Sequence, residues 1–254
     1  TNPGNNYPTG IGNYSGAISN NSYGYFGGGY TSANTTICTI TRLDFSNETL
    51  NNPGKDLPTV QYNPSGGVFS SNYGYFGGGY RYRPTPLVPA LRLCTITRLD
   101  FSTENVNNIS STLLDFSRDS MATVMSNSYG YFGGGLTAAP STSISNITRL
   151  DFSSETTSAP PTKLPANNFQ LAALSSTSYG YFGGGLISPV TPPPQTCTIT
   201  RLDFSSETLS TPGKNLPSEI YNQSTPVSSN FYGYFIGGNA PCICWTHNLH
   251  YLQT

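Results

Sequence analysis

Short stretches of alternating aromatic and small residues recur along the chain. The string YGYF begins at Tyr23, and its period of two places Tyr23 and Tyr25 on one face of a strand and Gly24 and Phe26 on the other. A glycine inside such a strand indicates a point where a neighbouring sheet approaches closely. The three glycines after Phe26 predict the end of the strand and a turn with positive φ.

A second string, ITRLDFS, predicts another strand. Its alternation places Ile40, Arg42 and Asp44 on one face, and Thr41, Leu43 and Phe45 on the other. The SxET sequence that completes it is typical of a turn, in which we expect Ser46 and its equivalents to bond nearby backbone.

Both strings repeat at intervals of about 50 residues. YGYF occurs five times, with starts 50, 56, 50 and 53 residues apart, at Tyr23, Tyr73, Tyr129, Tyr179 and Tyr232. ITRLDFS occurs four times, and a degenerate fifth copy appears when Cys244 is aligned with Cys38. We therefore expect one domain over residues 1–254, with repeats centred on 23–72, 73–128, 129–178 and 179–231, and on 232–254 completed by 1–22.

Composition narrows the class of protein. Only 9% of residues are charged and the net charge is −1, so the basic surface of a nucleic-acid-binding protein is absent. The 27 Gly and 20 Pro favour turns, while the 18 Tyr and 13 Phe favour strands and argue against disorder. No apolar stretch is long enough for a transmembrane helix, so we expect no membrane insertion. The prediction is an all-β protein.

The order of motifs resembles the kelch repeat, the blade of one class of β-propeller. An aromatic strand ending in Gly-Gly (Tyr25 to Gly28) precedes Leu43-Asp44-Phe45 and then the LP pair Leu57-Pro58. The Trp that usually follows the second strand in kelch repeats is missing. The GYFGGG strings are also similar to repeats in virion-associated proteins of marine phages and in other environmental sequences. The resemblance implies a five-bladed β-propeller with about four strands per blade.

The two ends of the sequence match in phase. Residues 2–9 resemble residues 52–59, which follow an ITRLDFS strand, whereas the last residues form the degenerate copy of that strand. We therefore predict that strands from both termini close the propeller, with residues 1–8 beside residues 245–252. The alternative is a filament in which the opening residues of one chain complete the last blade of the next.

Loop length varies at one place in the repeat. The segments between the glycine-rich strand and the residue before ITRLDFS contain 8, 14, 9, 11 and 5 residues, at 30–37, 80–93, 136–144, 186–196 and 239–243. Variable loops on one face of a regular scaffold are the usual place for recognition. Segment 80–93 holds the residue types most common at binding hot spots, namely Tyr80, Arg81, Tyr82 and Arg83. The alternative is that these loops vary freely in solvent.

The repeated carboxylates Asp44, Asp100, Asp151 and Asp203 are not expected to be catalytic. Glycosidases need two carboxylates in different environments, whereas equivalent positions in a repeat share one environment. We expect these residues to fix turns or to pair with the Arg two positions earlier. The sequence also lacks a phosphate loop, a nucleophile elbow and an HExxH motif. We therefore predict no enzyme and no cofactor.

The cysteines and histidines offer one weak metal candidate. Cys242, Cys244, His247 and His250 lie close together in sequence, but on a strand His247 would point away from the two cysteines. Buried thiols are the interpretation that we favour, with a disulfide from Cys242 as an alternative. Cys38, Cys94 and Cys197 occupy one position of different repeats, too far apart to bridge. Candidate glycosylation sites include Asn13, Asn34 and Asn47, although such sequons are not enriched.

These observations give three hypotheses for function. The first is a structural subunit of a virion tail, a fibre or an extracellular filament, which binds other protein subunits, copies of itself above all. The second is a lectin-like adhesin that binds glycans through its aromatic side chains and variable loops. The third, disfavoured above, is a carbohydrate-active enzyme. The first two place the protein outside cells or on a virion surface.

Overall fold

The computed structural model of the chain describes residues 11–13, 15–31, 36–61, 65–81, 91–138, 141–188, 193–221, 225–228, 232–236 and 249–253. These residues form strands and turns without a helix, so the predicted all-β class is confirmed. It follows that no described segment is a helix capable of crossing a membrane. The chain divides into two compact units, residues 1–119 and 120–254.

The described strands of the first unit include short, two-residue pieces beside longer ones. In chain order they are β1 (Ile11–Asn13), β2 (Gly16–Ser19), β3 (Tyr23–Thr31), β4 (Thr36–Asp44), β5 (Leu50–Asn51), β6 (Ser65–Phe69), β7 (Tyr73–Gly77), β8 (Tyr80–Arg81), β9 (Leu91–Arg92), β10 (Thr95–Asp100), β11 (Val106–Leu113) and β12 (Arg118–Asp119).

The described strands of the second unit follow the same pattern. They are β13 (Ala122–Met125), β14 (Tyr129–Gly133), β15 (Leu136–Thr137), β16 (Ile147–Asp151), β17 (Thr157–Ser158), β18 (Asn168–Phe169), β19 (Ala172–Ser175), β20 (Tyr179–Gly183), β21 (Leu186–Ile187), β22 (Ile199–Asp203), β23 (Leu209–Ser210), β24 (Thr225–Ser228), β25 (Tyr232–Ile236) and β26 (Leu249–Gln253).

Each repeat folds into its own antiparallel meander. The YGYF strand lies between the strand that precedes it and the ITRLD strand, and in the first four repeats a fourth strand, of two to eight residues, pairs with the outer edge of ITRLD. This order is β2-β3-β4-β5 in the first repeat, β6-β7-β10-β11 in the second, and β13-β14-β16-β17 and β19-β20-β22-β23 in the next two. The fifth has β24-β25-β26. No sheet closes on itself among the described residues, so the five-bladed ring stays a prediction.

The sheets begin one strand earlier than the sequence predicted. Asn20 Oδ1 accepts hydrogen bonds from the backbone N–H groups of Ser22 and Tyr23, and this turn joins β2 to β3. The serine equivalent to Asn20 accepts from the first Tyr of YGYF in the next three repeats, at Ser70, Ser126 and Ser176. Residues 11–13 and 16–19 therefore belong to the first sheet, not to the last repeat as expected. Residues 1–8, predicted to lie beside residues 245–252, fall outside the described residues.

The glycine-rich turn is anchored to the end of its own repeat. Gly134 has φ +69°, and an added Cβ would lie 2.5 Å from the carbonyl oxygen of Asn168. The next glycine, Gly135, donates its N–H to that same carbonyl at 2.8 Å. The third glycine makes the same bond to Gln61, Arg118 and Ile220 in the other repeats. The predicted positive φ of this turn is confirmed, and only glycine fits so close to the backbone.

The LP leucine fixes the other side of each repeat. Its backbone N–H donates to the carbonyl of the residue two positions before ITRLDFS, as in Leu57 to Cys38 at 2.7 Å and Leu164 to Ser145 at 2.8 Å. Leu57 and Leu164 are buried. Because the bond uses backbone atoms, Ser145 can replace the cysteine of the other repeats. Cys38, Cys94 and Cys197 are half-buried free thiols, as predicted.

Candidate functional site

Neighbouring sheets within each unit pack through a reciprocal set of large and small residues. The strand before YGYF presents a large side chain to the second residue of the next YGYF: an added Cβ on Gly180 would lie 2.6 Å from Val124 Cγ2. Conversely, the Phe of a YGYF strand covers a glycine of the preceding repeat, as Phe182 covers Gly133 and Phe235 covers Gly183. Ile18 against Gly74 and Phe76 against Gly27 repeat this arrangement in the first unit. The close approach predicted from the glycine in YGYF is confirmed.

The contact continues in a polar cluster that reaches from one sheet to the next. In the second unit, Glu207 Oε1 accepts from Arg149 Nη1 at 2.8 Å and from Tyr131 Oη at 3.1 Å. The ring of Phe204 stacks on Tyr131 at 5.5 Å between centroids, with the planes 10° apart. Arg149 in turn lies 4.7 Å from the ring centroid of Tyr129, within cation–π distance. We call this the inter-sheet cluster.

The first unit contains the same cluster. Glu104 accepts from Arg42 at 2.7 Å and from the hydroxyl of Tyr25 at 3.0 Å, and Phe101 stacks on Tyr25. Burial of the Tyr25 ring, followed by its bond to Glu104, raises the pKa of its hydroxyl far above the ordinary value. The hydrogen bond that Arg42 donates to Glu104 is the main reason why the pKa of Arg42 is also raised. The cluster therefore holds neutral tyrosine and charged arginine against one carboxylate.

The glutamate of this cluster has an unusual backbone. Glu104 and Glu207 have φ of 55° and 52°, in the left-handed region that disfavours residues with a Cβ. Glycine or asparagine is the ordinary choice at such a turn position. Glutamate occupies it in four repeats, at Glu48, Glu104, Glu155 and Glu207. A glutamate at a position that disfavours it points to a role for its carboxylate, and the recurrence of glutamate there was visible in the sequence.

The repeated aspartates fix turns, one of the two roles predicted for them. Asp151 Oδ1 accepts from the backbone N–H and the hydroxyl of Ser153 at 2.8 and 2.6 Å, and from the N–H of Ser154. The serine hydroxyl thus bonds the aspartate and not the backbone, in contrast to the prediction for Ser46. These bonds, the serine hydroxyl's above all, lower the pKa of Asp151. The carboxyl is therefore ionised at neutral pH and unsuited to act as a general acid.

Segment 80–93 starts and ends as a hairpin. Tyr80 pairs with Arg92 and Arg81 with Leu91, and both Tyr80 and Arg81 are half-buried. Arg92 lies 5.5 Å from the ring centroid of Tyr80 and its Nε bonds Asp119 at 2.5 Å. Tyr82 and Arg83, the other two predicted binding residues, lie outside the described residues. The described base of this loop is thus held by backbone pairing and by the Arg92–Asp119 ion pair, and Leu91 is 51% exposed on it.

A buried arginine supports the same region. Arg118 is fully buried and pairs with Asp115 at 3.1 Å. Its burial lowers the pKa of the guanidinium to about 10, so the group keeps its charge at neutral pH. Segment 80–93 itself contains three arginines and no acidic residue. The loop therefore carries positive charge on a base that is held by carboxylates from outside it.

In the second unit, two variable loops are tied together. The hydroxyl of Ser143 donates to the carbonyls of Asn167 and Ser188, at 2.8 and 3.1 Å, and accepts from the N–H of Ser188 at 2.9 Å. Ser143 lies in segment 136–144 and Ser188 in segment 186–196. Because Ser143 is buried, these two loop bases are part of the packed structure.

The remaining candidates are mostly beyond the described residues. Asn34, Cys242, Cys244 and His247 lie outside them, and Asn13 and His250 are described only as backbone in β1 and β26. Asn47 is exposed in the turn after β4, where its Oδ1 accepts from the N–H and hydroxyl of Thr49. The described residues contain no group of three metal-ligating side chains.

A comparison of the chain with models of known protein families gives no match, and neither does a comparison with curated proteins.

Proposed function

We propose that this chain is a non-enzymatic structural module that assembles with other protein subunits, in a virion tail, a fibre or an extracellular filament. Its five repeats are the blades of a kelch-like β-propeller. The similarity of the GYFGGG strings to virion-associated repeats and the sparse charge of the chain support this setting.

The inter-sheet cluster carries the proposal. The same three side chains, a tyrosine, an arginine and a glutamate, join neighbouring sheets in both units. Arginine and glutamate residues that recur from repeat to repeat therefore form contacts between repeats. The repeated carboxylate that an enzyme would use is bound within a turn. The tyrosine, arginine and glutamate of the inter-sheet cluster thus hold neighbouring repeats together.

The variable loops supply the contacts to partners. The base of segment 80–93 is a paired hairpin, and a loop held in place at its base loses less conformational entropy on binding. Segment 80–93 offers Tyr80, Arg81 and the exposed Leu91, and its positive charge suits a partner with an acidic surface.

Negative-stain microscopy of the purified full chain tests the proposal. We expect regular particles or filaments that form as the concentration rises. A matched variant replaces residues 80–93 with the sequence of 136–144, the loop of another repeat, and should keep the particle while losing partner binding in material from the native source. Monomers at every concentration, with no larger assembly in native material, would contradict the proposal.

A further inference from the structure

The two ends of the repeat array expose complementary halves of the contact that joins neighbouring sheets. In the first four repeats, the large residue on the strand before YGYF is at most 5% exposed, at Ile18, Val68, Val124 and Leu174. Val227, which holds that position in the fifth repeat, is 46% exposed. It pairs with Tyr234 as Val124 pairs with Tyr131. The last sheet therefore presents the large residue of the contact to solvent.

The first sheet exposes the opposite half. Phe45 corresponds to Phe101 and Phe204, which stack on a tyrosine of the preceding sheet and are half-buried. Phe45 itself is 47% exposed. Its ring lies 3.3 Å from where a Cβ on Gly24 would be, so its own sheet holds one side of the ring in place. Gly24 is the glycine of YGYF that receives the large residue of a preceding sheet in the later repeats.

The turn after Phe45 has the same backbone conformation as the turns that contact a preceding sheet. Glu48, three residues later, has φ 57°, against 55° and 52° for Glu104 and Glu207 in the two inter-sheet clusters. On the other half, Tyr234 is half-buried, whereas its equivalents Tyr25 and Tyr131 are fully buried beneath the next repeat. Each half thus keeps the geometry that is seen in the completed contacts of Phe101 with Tyr25 and of Phe204 with Tyr131.

We propose that the last sheet of one copy docks on the first sheet of a second copy, with Val227 against Gly24 and Phe45 stacked on Tyr234. The occupant is a second copy because the contact continues the one between successive repeats, and because Phe45 and Val227 remain about half exposed in the single chain. Such a contact joins different surfaces of two identical chains, so it propagates into a filament or a ring of subunits. This inference rests on the proposed assembly function and names the surfaces that perform it. It takes the open, filament-forming alternative, because a propeller closed within one chain would bury Val227 and Phe45 against each other's sheets.

Two blocking variants test the contact by sedimentation velocity of the full chain. Phe45→Arg blocks the first sheet and Val227→Arg the last, so each variant alone should be monomeric. A 1:1 mixture should form a dimer and nothing larger, because each variant keeps one intact surface. Phe116→Ala is the matched control, since Phe116 is 45% exposed outside the repeated contact, and it should assemble like the wild type. Phe45→Ala should weaken association about 30-fold, as truncation of an interface hot spot does.

A photocrosslink gives a second readout that does not depend on the stability of the blocking variants. Benzoylphenylalanine at position 45, in a mixture of ¹⁴N- and ¹⁵N-labelled chains, should link residue 45 of one isotope to the segment 225–236 of the other. Links between peptides of the same isotope only would overturn the inference, as would a dimer that survives Phe45→Arg. If the wild type assembles through another surface, the assembly function stands and only this contact fails. If it never assembles, both fail.

Discussion

Replacement of Glu207 tests whether its side chain is retained for the contact between sheets. In Glu207→Ala the buried hydroxyl of Tyr131 loses its acceptor and Arg149 its ion pair. A hydrogen bond to a charged group contributes about 1.5–3 kcal/mol, and a partly exposed ion pair adds at most about 1 kcal/mol. We expect the free energy of unfolding to fall by about 2–3 kcal/mol. Glu207→Gln keeps an oxygen acceptor and should lose about 1 kcal/mol.

The left-handed backbone gives this prediction a second, sharper part. Glu207→Gly removes the same side chain as Glu207→Ala, but glycine adopts a φ of 52° without the cost of about 1–2 kcal/mol that a Cβ brings. The glycine variant should therefore be more stable than the alanine variant by about 1 kcal/mol. This order is the reverse of the one expected at a strand or helix position.

Equilibrium urea denaturation of the full chain, followed by the near-ultraviolet circular dichroism of tyrosine, measures these differences. With a slope of about 2 kcal/mol per molar urea, Glu207→Ala should lower the midpoint by about 1 M. Glu219→Ala is the control, because Glu219 is exposed in the same unit, and it should change stability by less than about 0.5 kcal/mol. An alanine variant as stable as this control, or a glycine variant less stable than the alanine one, would refute the reasoning.

Three further outcomes are expected. Gly180→Ala should destabilise the chain by about 1–3 kcal/mol in urea denaturation, with partial recovery when Val124→Ala makes room; additive losses would count against the close contact. Burial raises the pKa of Tyr131 above its ordinary value of 10.0, so its contribution to stability is complete below pH 10 and is lost as pH rises towards the folded-state pKa. The stability of wild type relative to Tyr131→Phe should fall as the pH rises above about 10, and a constant difference would contradict this. Ser143→Ala should speed hydrogen exchange at the Ser188 amide roughly tenfold, and an unchanged rate would show that the loop bases are held by other contacts.

The strands of the repeat were readable from local patterns. Alternation in YGYF and ITRLD gives the strand type, and the glycines after Phe26 give the turn, because both depend on residues adjacent in the chain. The start of each sheet was placed one strand too late, since the segment at residues 16–19 has no repeated string to mark it. Its repeated feature is only the Asn or Ser that closes the hairpin turn.

The residues that pair with one another across sheets could not be derived in the same way. Arg42 and Glu104 are 62 residues apart, and the sequence around either residue does not indicate the other as its partner. The sequence therefore suggested that Arg42 pairs with Asp44 on its own strand, whereas the structure pairs it with the next repeat. The tie between Ser143 and Ser188 was missed for the same reason, as it joins two loops that share no sequence pattern.

The identity of the contacts from one repeat to the next has a consequence for how such a chain changes over generations. Unequal recombination that inserts or removes one repeat of about 50 residues creates no new kind of contact between repeats. The reason is that every repeat carries both the large residue and the glycine of that contact. In an open array, the number of repeats can then change without new mutations at any interface. The variable loops can change in sequence at the same time, since they lie outside the contact between neighbouring sheets.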